Sequence, residues 1–176
     1  MATLTLDKVH SDVIFQIKHM MVSKAKGAFT DFDVEFTGDP DDLASASVKA
    51  AIKTASIDTG NADRDGHLKS GDFFEAEKYP EITFASKSIK KVSDDKFEVT
   101  GDFTIKDVTK TETFHVTYNG TAKNPMDGSM VAGFDVEGRV NREDYGLTWN
   151  AALETGGVLV GKEVKFTGNF EFAIKE

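Results

Sequence analysis

Apolar and polar residues alternate with a period of two in eight separate runs of this chain, the mark of strands with one buried face. Val13, Phe15, Ile17 and His19 share a face opposite Asp12, Gln16 and Lys18, with Ile14 out of phase. Phe32, Val34 and Phe36 oppose Asp31, Asp33 and Glu35. After an acidic turn at Asp39-Pro40-Asp41-Asp42, Ala46, Val48, Ala50 and Ile52 oppose Ser45, Ser47, Lys49 and Lys53. Ile82, Phe84, Ser86 and Ser88 form the next face, and the pattern repeats over Phe97 to Ile105, Phe114 to Tyr118, Phe134 to Val140 and Val164 to Phe172. Turns such as Ser93-Asp94-Asp95 and Asn124 to Gly128 join them.

One stretch breaks this rhythm. Asp58-Thr59-Gly60 reads as a turn, with side chains that cap and a glycine that tolerates positive φ. A short charged helix over Asp63 to Ser70 follows, with Leu68 as its buried residue. Phe73, Phe74 and Tyr79 then need a dry environment, and Pro80 ends the segment before the next strand.

An antiparallel sheet with one oily face and almost no helix to cover it folds onto itself, and closure also removes its exposed edges. The expected fold is all-β, an eight-stranded antiparallel barrel with a helical insertion between the middle strands. A barrel of that size either fills with side chains or holds one small ligand. Its inward face mixes phenylalanines with very small residues: Gly101, Gly138, Gly168, Ala46, Ala50 and Ser86. Taken singly, such glycines mark bulges or bends. Taken as a set, they equally fit a retained tunnel.

The run SIDTG, then Arg64-Asp65 with His67-Leu68, then Asp72-Phe73-Phe74, then Tyr79-Pro80 with Ile82-Thr83-Phe84, resembles the signature of the YceI-like family of polyisoprenoid-binding proteins. So do His10-Ser11 with Phe15, His19, Gly27 and Phe29, the hairpin GDFTIKDVTK at Gly101 to Lys110, and Asn141-Arg142 with Tyr145-Gly146-Leu147. The resemblance covers nearly the whole chain in the right order. Two departures stand out: Gly66 lies inside the short helix and Asp107 replaces the hairpin glycine.

The resemblance implies a lipocalin-like barrel, one domain over residues 1–176, that carries, stores or sequesters a long-chain amphipathic lipid. Such a lipid is a polyisoprenoid (an isoprenoid quinone or a polyprenyl phosphate) or a fatty-acid derivative. Phe15, Ile17, Phe36, Phe84, Phe103, Phe134, Phe166 and Phe170 are the candidate tunnel liners, and His19 the candidate for the lipid head group. Each buried CH₂ contributes about 0.8 kcal/mol, so a five-carbon unit gains roughly 3 to 4 kcal/mol before ordering costs. The rival reading is a stress-response or interaction protein whose barrel is filled by its own side chains. The resemblance also leaves room for a homodimer.

Composition narrows the partners. A net charge of −9 and 39% hydrophobic residues describe an acidic chain with enough apolar side chains for a real core. That charge repels phosphate backbones, so nucleic acid is not an expected partner. There is no cysteine, hence no thiolate metal site. No apolar run approaches the roughly 20 residues of a membrane helix. Met1 to Leu6 lacks the features of a leader, which places the protein in the cytoplasm, or in the periplasm if a leader has been removed.

The polar motifs carry little chemistry of their own. Asn61 to Asp72 matches most of a calcium-binding loop, including Gly66 at the sixth place, but it starts on Asn, ends on the shorter Asp and follows a strand. His10 and His19 are nine residues apart along one strand, not a metal pair, and His67 and His115 read as hydrogen-bonded or solvated. Arg64 with Asp58, Asp63 and Asp65 reads as an ion-pair and capping network, with a minority reading in which Arg64 or Arg142 faces a phosphate or quinone oxygen. Asn119-Gly120-Thr121 is a formal glycosylation sequon that reads as a turn. No nucleophile elbow, zinc-protease helix or phosphate loop is present, so neither an enzyme, a metal nor a cofactor is expected. A hydrolase or isomerase acting on the bound lipid would need a polar pair deep in the tunnel.

Overall fold

The computed structural model describes residues 3–20, 22–39, 42–150 and 160–175. In chain order its elements are β1 (Thr3–His19), β2 (Ser23–Phe29), β3 (Phe32–Asp39), β4 (Asp42–Lys53), β5 (Ile57–Asp58), α1 (Ala62–Lys69), β6 (Glu81–Lys91), β7 (Lys96–Ile105), β8 (Val108–Lys123), β9 (Met130–Asn141) and β10 (Val160–Lys175). All neighbours pair antiparallel in the order β10-β9-β8-β7-β6-β4-β3-β1-β2-β5, and β10 also pairs with β1. That last ladder closes the sheet into a barrel.

The ten segments make eight staves. β2 and β3 lie end to end along β1, through Val13↔Phe29 and Leu4↔Phe36, and β5 and β4 continue each other along β2 and β3. At the breaks, Lys53 N–H donates to Asp31 O at 2.9 Å and Thr30 N–H to Ser56 O at 3.2 Å. Backbone hydrogen bonds therefore carry the ladder across both breaks. The expected eight-stranded antiparallel barrel with a short helix between its middle strands is the architecture observed.

Alternation sets the inner face where a stave is straight. β7 is buried at every second residue from Phe97 to Ile105. It fails where a bulge changes parity. Between Asp7↔Glu171 and Asp12↔Asn169, β1 advances five residues while β10 advances two, so the inward set switches from Leu4 and Leu6 to Val13 and Phe15. This hid the first half of β1, which sequence periodicity starts only at Val13. A second shift lies between Ser86↔Gly101 and Ser88↔Thr100. It leaves Ser88 exposed and turns Ile89 inward, against the expected Ser86 and Ser88 face. Asn119-Gly120-Thr121 is likewise a bulge within β8, not a turn: the register shifts between Tyr118 and Gly120, and Gly120 has φ 95°. Of the expected acidic turn, Asp39 and Asp42 pair as the last rung of β3 and β4, while Pro40 and Asp41 lie outside the described residues.

Candidate functional site

The inward glycines do not themselves hold space open. A Cβ on Gly138 would lie 2.2 Å from Cδ1 of Phe114, and one on Gly168 would lie 2.4 Å from Cε2 of Phe170. Those two positions are seats for aromatic rings. A Cβ on Gly101 would lie 2.2 Å from the Ala85 carbonyl oxygen, so this glycine serves the β6 bulge. Ser86 serves it too, its Oγ accepting the Val48 N–H at 2.8 Å beyond the end of the β4–β6 ladder.

Open space survives all the same, in two chambers inside the barrel. One holds about 160 Å³ through which the centre of a water-sized sphere can move, the other about 220 Å³. Each exceeds the roughly 10 to 15 Å³ that a single water needs by more than tenfold. The first is walled by rings and aliphatics, including Phe36, Phe84, Phe103, Phe134 and Phe170, and Thr167 is its one hydroxyl-bearing liner among the described residues. The second takes in Phe15, Ile17, His19, Phe29, Phe73 and Phe74 and reaches the insertion at Thr59, Arg64, His67 and Leu68. Phe166 borders both, its ring centroid 5.8 Å from that of Phe103 and nearly perpendicular to it. The interior is thus not filled by its own side chains.

All nine side chains singled out from the sequence line one of these chambers: Phe36, Phe84, Phe103, Phe134 and Phe170 the first, Phe15, Ile17 and His19 the second, Phe166 both. His19 sits at an exposed end of the second chamber. Sequence reasoning passed over Leu147 and Trp149 as liners, although their two-residue spacing after the Tyr145-Gly146 turn was a usable signal. It also passed over Phe114, which β8 points inward from an otherwise polar neighbourhood.

The insertion closes the second chamber. Asn61 caps α1, its side chain accepting the Arg64 N–H at 3.0 Å. Asp65 accepts both the backbone and hydroxyl donors of Thr59, and these bonds hold its carboxyl below the usual range. Arg64 donates through Nε and Nη2 to the Thr59 hydroxyl and carbonyl oxygens, both at 2.8 Å. The network anticipated as ion pairs therefore runs through Thr59. This geometry also spends the calcium-loop residues otherwise, since Ala62–Lys69 is helical and Asp72 faces His67 Nε2 at 2.9 Å. The His67 ring stands edge-on to Trp149, centroids 4.6 Å apart, and Phe73 packs beside both.

Arg142 is 2% exposed and borders the second chamber. Its guanidinium donates to the carbonyl oxygens of Leu147, Trp149, Val160 and Gly161 at 2.6 to 3.3 Å, which ties the segment after β9 to the start of β10. Burial lowers its pKa. Nearby, the buried Tyr145 hydroxyl donates to Glu112 at 2.7 Å, and burial together with that bond pushes its pKa well up.

On the outside, at the β1 bulge, His10 Nδ1 lies 2.8 Å from Asp7 and 3.6 Å from Glu171. The bond to Asp7 raises the histidine pKa and lowers that of Asp7. Three potential metal-ligand atoms meet here within 4.8 Å, a grouping the sequence spacing did not reveal because it depends on β10. Among the described residues, no helix is long and apolar enough to cross a membrane.

The YceI-like domain family matches residues 4–172. A UPF0312 protein of Staphylococcus aureus strain MSSA476 is 53% identical over 176 residues, spanning all of both chains. A Campylobacter jejuni YceI protein of known structure is 35% identical with a TM-score of 0.76, covering 98% of each chain. A polyisoprenoid binding domain from Saccharophagus degradans, implicated in plant cell wall breakdown, superposes with a TM-score of 0.70 over 99% of this chain and 100% of that one. At 13% identity, that last likeness speaks to the fold alone.

Proposed function

The chain belongs to the YceI-like family, and from that premise we propose that it binds the tail of a long-chain amphipathic lipid inside the barrel, for carriage, storage or sequestration. The observation that carries this reading is the pair of open chambers, walled almost wholly by hydrocarbon. Keeping such volume empty costs a folded protein on the order of several kcal/mol, and an apolar guest offsets that cost. The name of the Saccharophagus degradans neighbour supports a polyisoprenoid as the guest, whether quinone or polyprenyl phosphate.

Binding without chemical conversion is part of the proposal. Among the described residues the walls of both chambers are almost wholly hydrocarbon, so a tail inside them meets no acid–base pair. The open volume argues against the rival filled barrel. Native mass spectrometry of protein purified without organic extraction tests the reading. A bound mass that organic solvent removes and a soaked isoprenoid quinone restores is the expected result. No lipid in the extract and no uptake on soaking would refute it.

A further inference from the structure

The barrel closes where β1 meets β10, and on its outer wall that seam sets two like charges face to face. Asp7 and Glu171 are direct partners in the β1–β10 ladder, on the last rung before the register shifts. Like charges directly opposite each other destabilise an antiparallel pair. The bulge that follows brings His10 back over this rung, with Nδ1 2.8 Å from Asp7 Oδ2 and 3.6 Å from Glu171 Oε2. A ring N–H at Nδ1 reaches Asp7 alone, because 3.6 Å is beyond hydrogen-bond range. We propose that these three side chains form a binding site for a divalent transition-metal ion of the zinc type, which answers both carboxylates at once.

The spacing of the donor atoms fits such an ion. Zinc bonds of about 2.0 to 2.2 Å at angles of roughly 90 to 110° put neighbouring ligand atoms about 2.8 to 3.6 Å apart. The two separations from Nδ1 fall in that range, and all three donor atoms lie within 4.8 Å of one another. The backbone aims the ligands beforehand. Asp7 Oδ1 accepts the N–H groups of Val9 and His10 at 3.0 and 3.4 Å, which leaves Oδ2 facing the ring. Ser11 Oγ accepts the Glu171 N–H at 3.1 Å and donates to the Asp7 carbonyl oxygen at 2.6 Å, tying the bulge to the rung. One imidazole nitrogen with two carboxylates suits zinc, cobalt, nickel or copper(II), whereas calcium takes six to eight oxygens and magnesium keeps most of its waters. Three protein ligands leave the rest of the shell to water. None of the three lines either chamber, so the site is independent of the lipid reading. A bound ion clamps the first strand to the last from outside.

Calorimetric titration of full-length, tag-free protein, stripped of metal beforehand, with zinc chloride tests this assignment. The expected result is one zinc ion per chain at micromolar affinity, with calcium at least about tenfold weaker. His10→Gln and Glu171→Gln each weaken zinc by about tenfold or more, while His115→Gln, at an exposed position on β8, leaves it unchanged. Because the ion joins two strands of the folded barrel, a zinc concentration one hundred times Kd raises the wild-type Tm by about 5 to 10 °C, and the same concentration shifts each of the two ligand variants by about half that or less. Melts without metal show that the variants fold. No zinc uptake by the wild type, calcium binding as tightly as zinc, or zinc affinity unchanged in either His10→Gln or Glu171→Gln would overturn the proposal.

Discussion

At Gly138 and Gly133, two glycines on one strand, the cost of adding a methyl group differs because one carries a ring and the other does not. The Cβ at Gly138 falls inside the space of Phe114, whereas that at Gly133 meets its nearest atom, Cβ of Asn119, at an ordinary 3.7 Å. Gly138→Ala is expected to lower unfolding stability by about 1 to 3 kcal/mol through overpacking, and Gly133→Ala to change it by less than about 0.5 kcal/mol. Urea midpoints at constant slope check the pair. Tyr145 sets a pH dependence. Its folded pKa is raised above the ordinary 10.0, so above pH 10 only the unfolded chain sheds the phenolic proton. The stabilisation is therefore complete below pH 10 and is lost as pH climbs beyond it. Tyr145→Phe is expected to flatten that alkaline loss while costing about 1 kcal/mol at neutral pH for the bond to Glu112, as read from thermal melts between pH 7 and 11.

Two elements carry residues that do not suit their backbone. Gly66 sits mid-helix in α1 with nothing within 4 Å of where an added methyl group would stand, and Asp107 adopts φ 65° in the two-residue β7–β8 hairpin beside Lys106 at 51°. Both central residues of that turn are left-handed, the geometry in which glycine costs least. Gly66→Ala and Asp107→Gly are each expected to raise stability by about 0.5 to 1 kcal/mol, with additive shifts in the urea midpoint because the sites share no partner. These positions were visible in the sequence as departures from a family pattern, and the structure gives each a physical cost. What periodicity missed at this scale was bulges. An inserted residue flips every later side chain, so Leu4 and Leu6 fell out of phase with Val13, and Ser88 stood where Ile89 belongs.

For the molecule as a whole, Phe166 is a ring that lines both chambers. Phe166→Ala should join the chambers. The expected outcome is a stability loss of about 3 to 5 kcal/mol together with a roughly tenfold gain in affinity for prenyl diphosphates longer than the second chamber accommodates, relative to farnesyl diphosphate. Tryptophan titrations across a tail-length series measure the ratio, and a ratio equal to wild type would show that the ring yields unaided.

The sequence alone determined the strand faces wherever no bulge intervenes, the helical interruption and the closed all-β barrel, because a two-residue period records which side of each strand meets water. It also placed Phe15, Phe103 and Phe166 inward, since those staves keep their parity over the stretches concerned. Only the tertiary structure decided where emptiness lies. Gly138 and Gly168 receive rings from Phe114 and Phe170, and the open volume is what rigid rings from several staves fail to fill. Such a volume belongs to no single strand. Nor does the lining of the second chamber, to which β1, α1 and the segment after β9 contribute residues as far apart in the chain as Lys18 and Arg142.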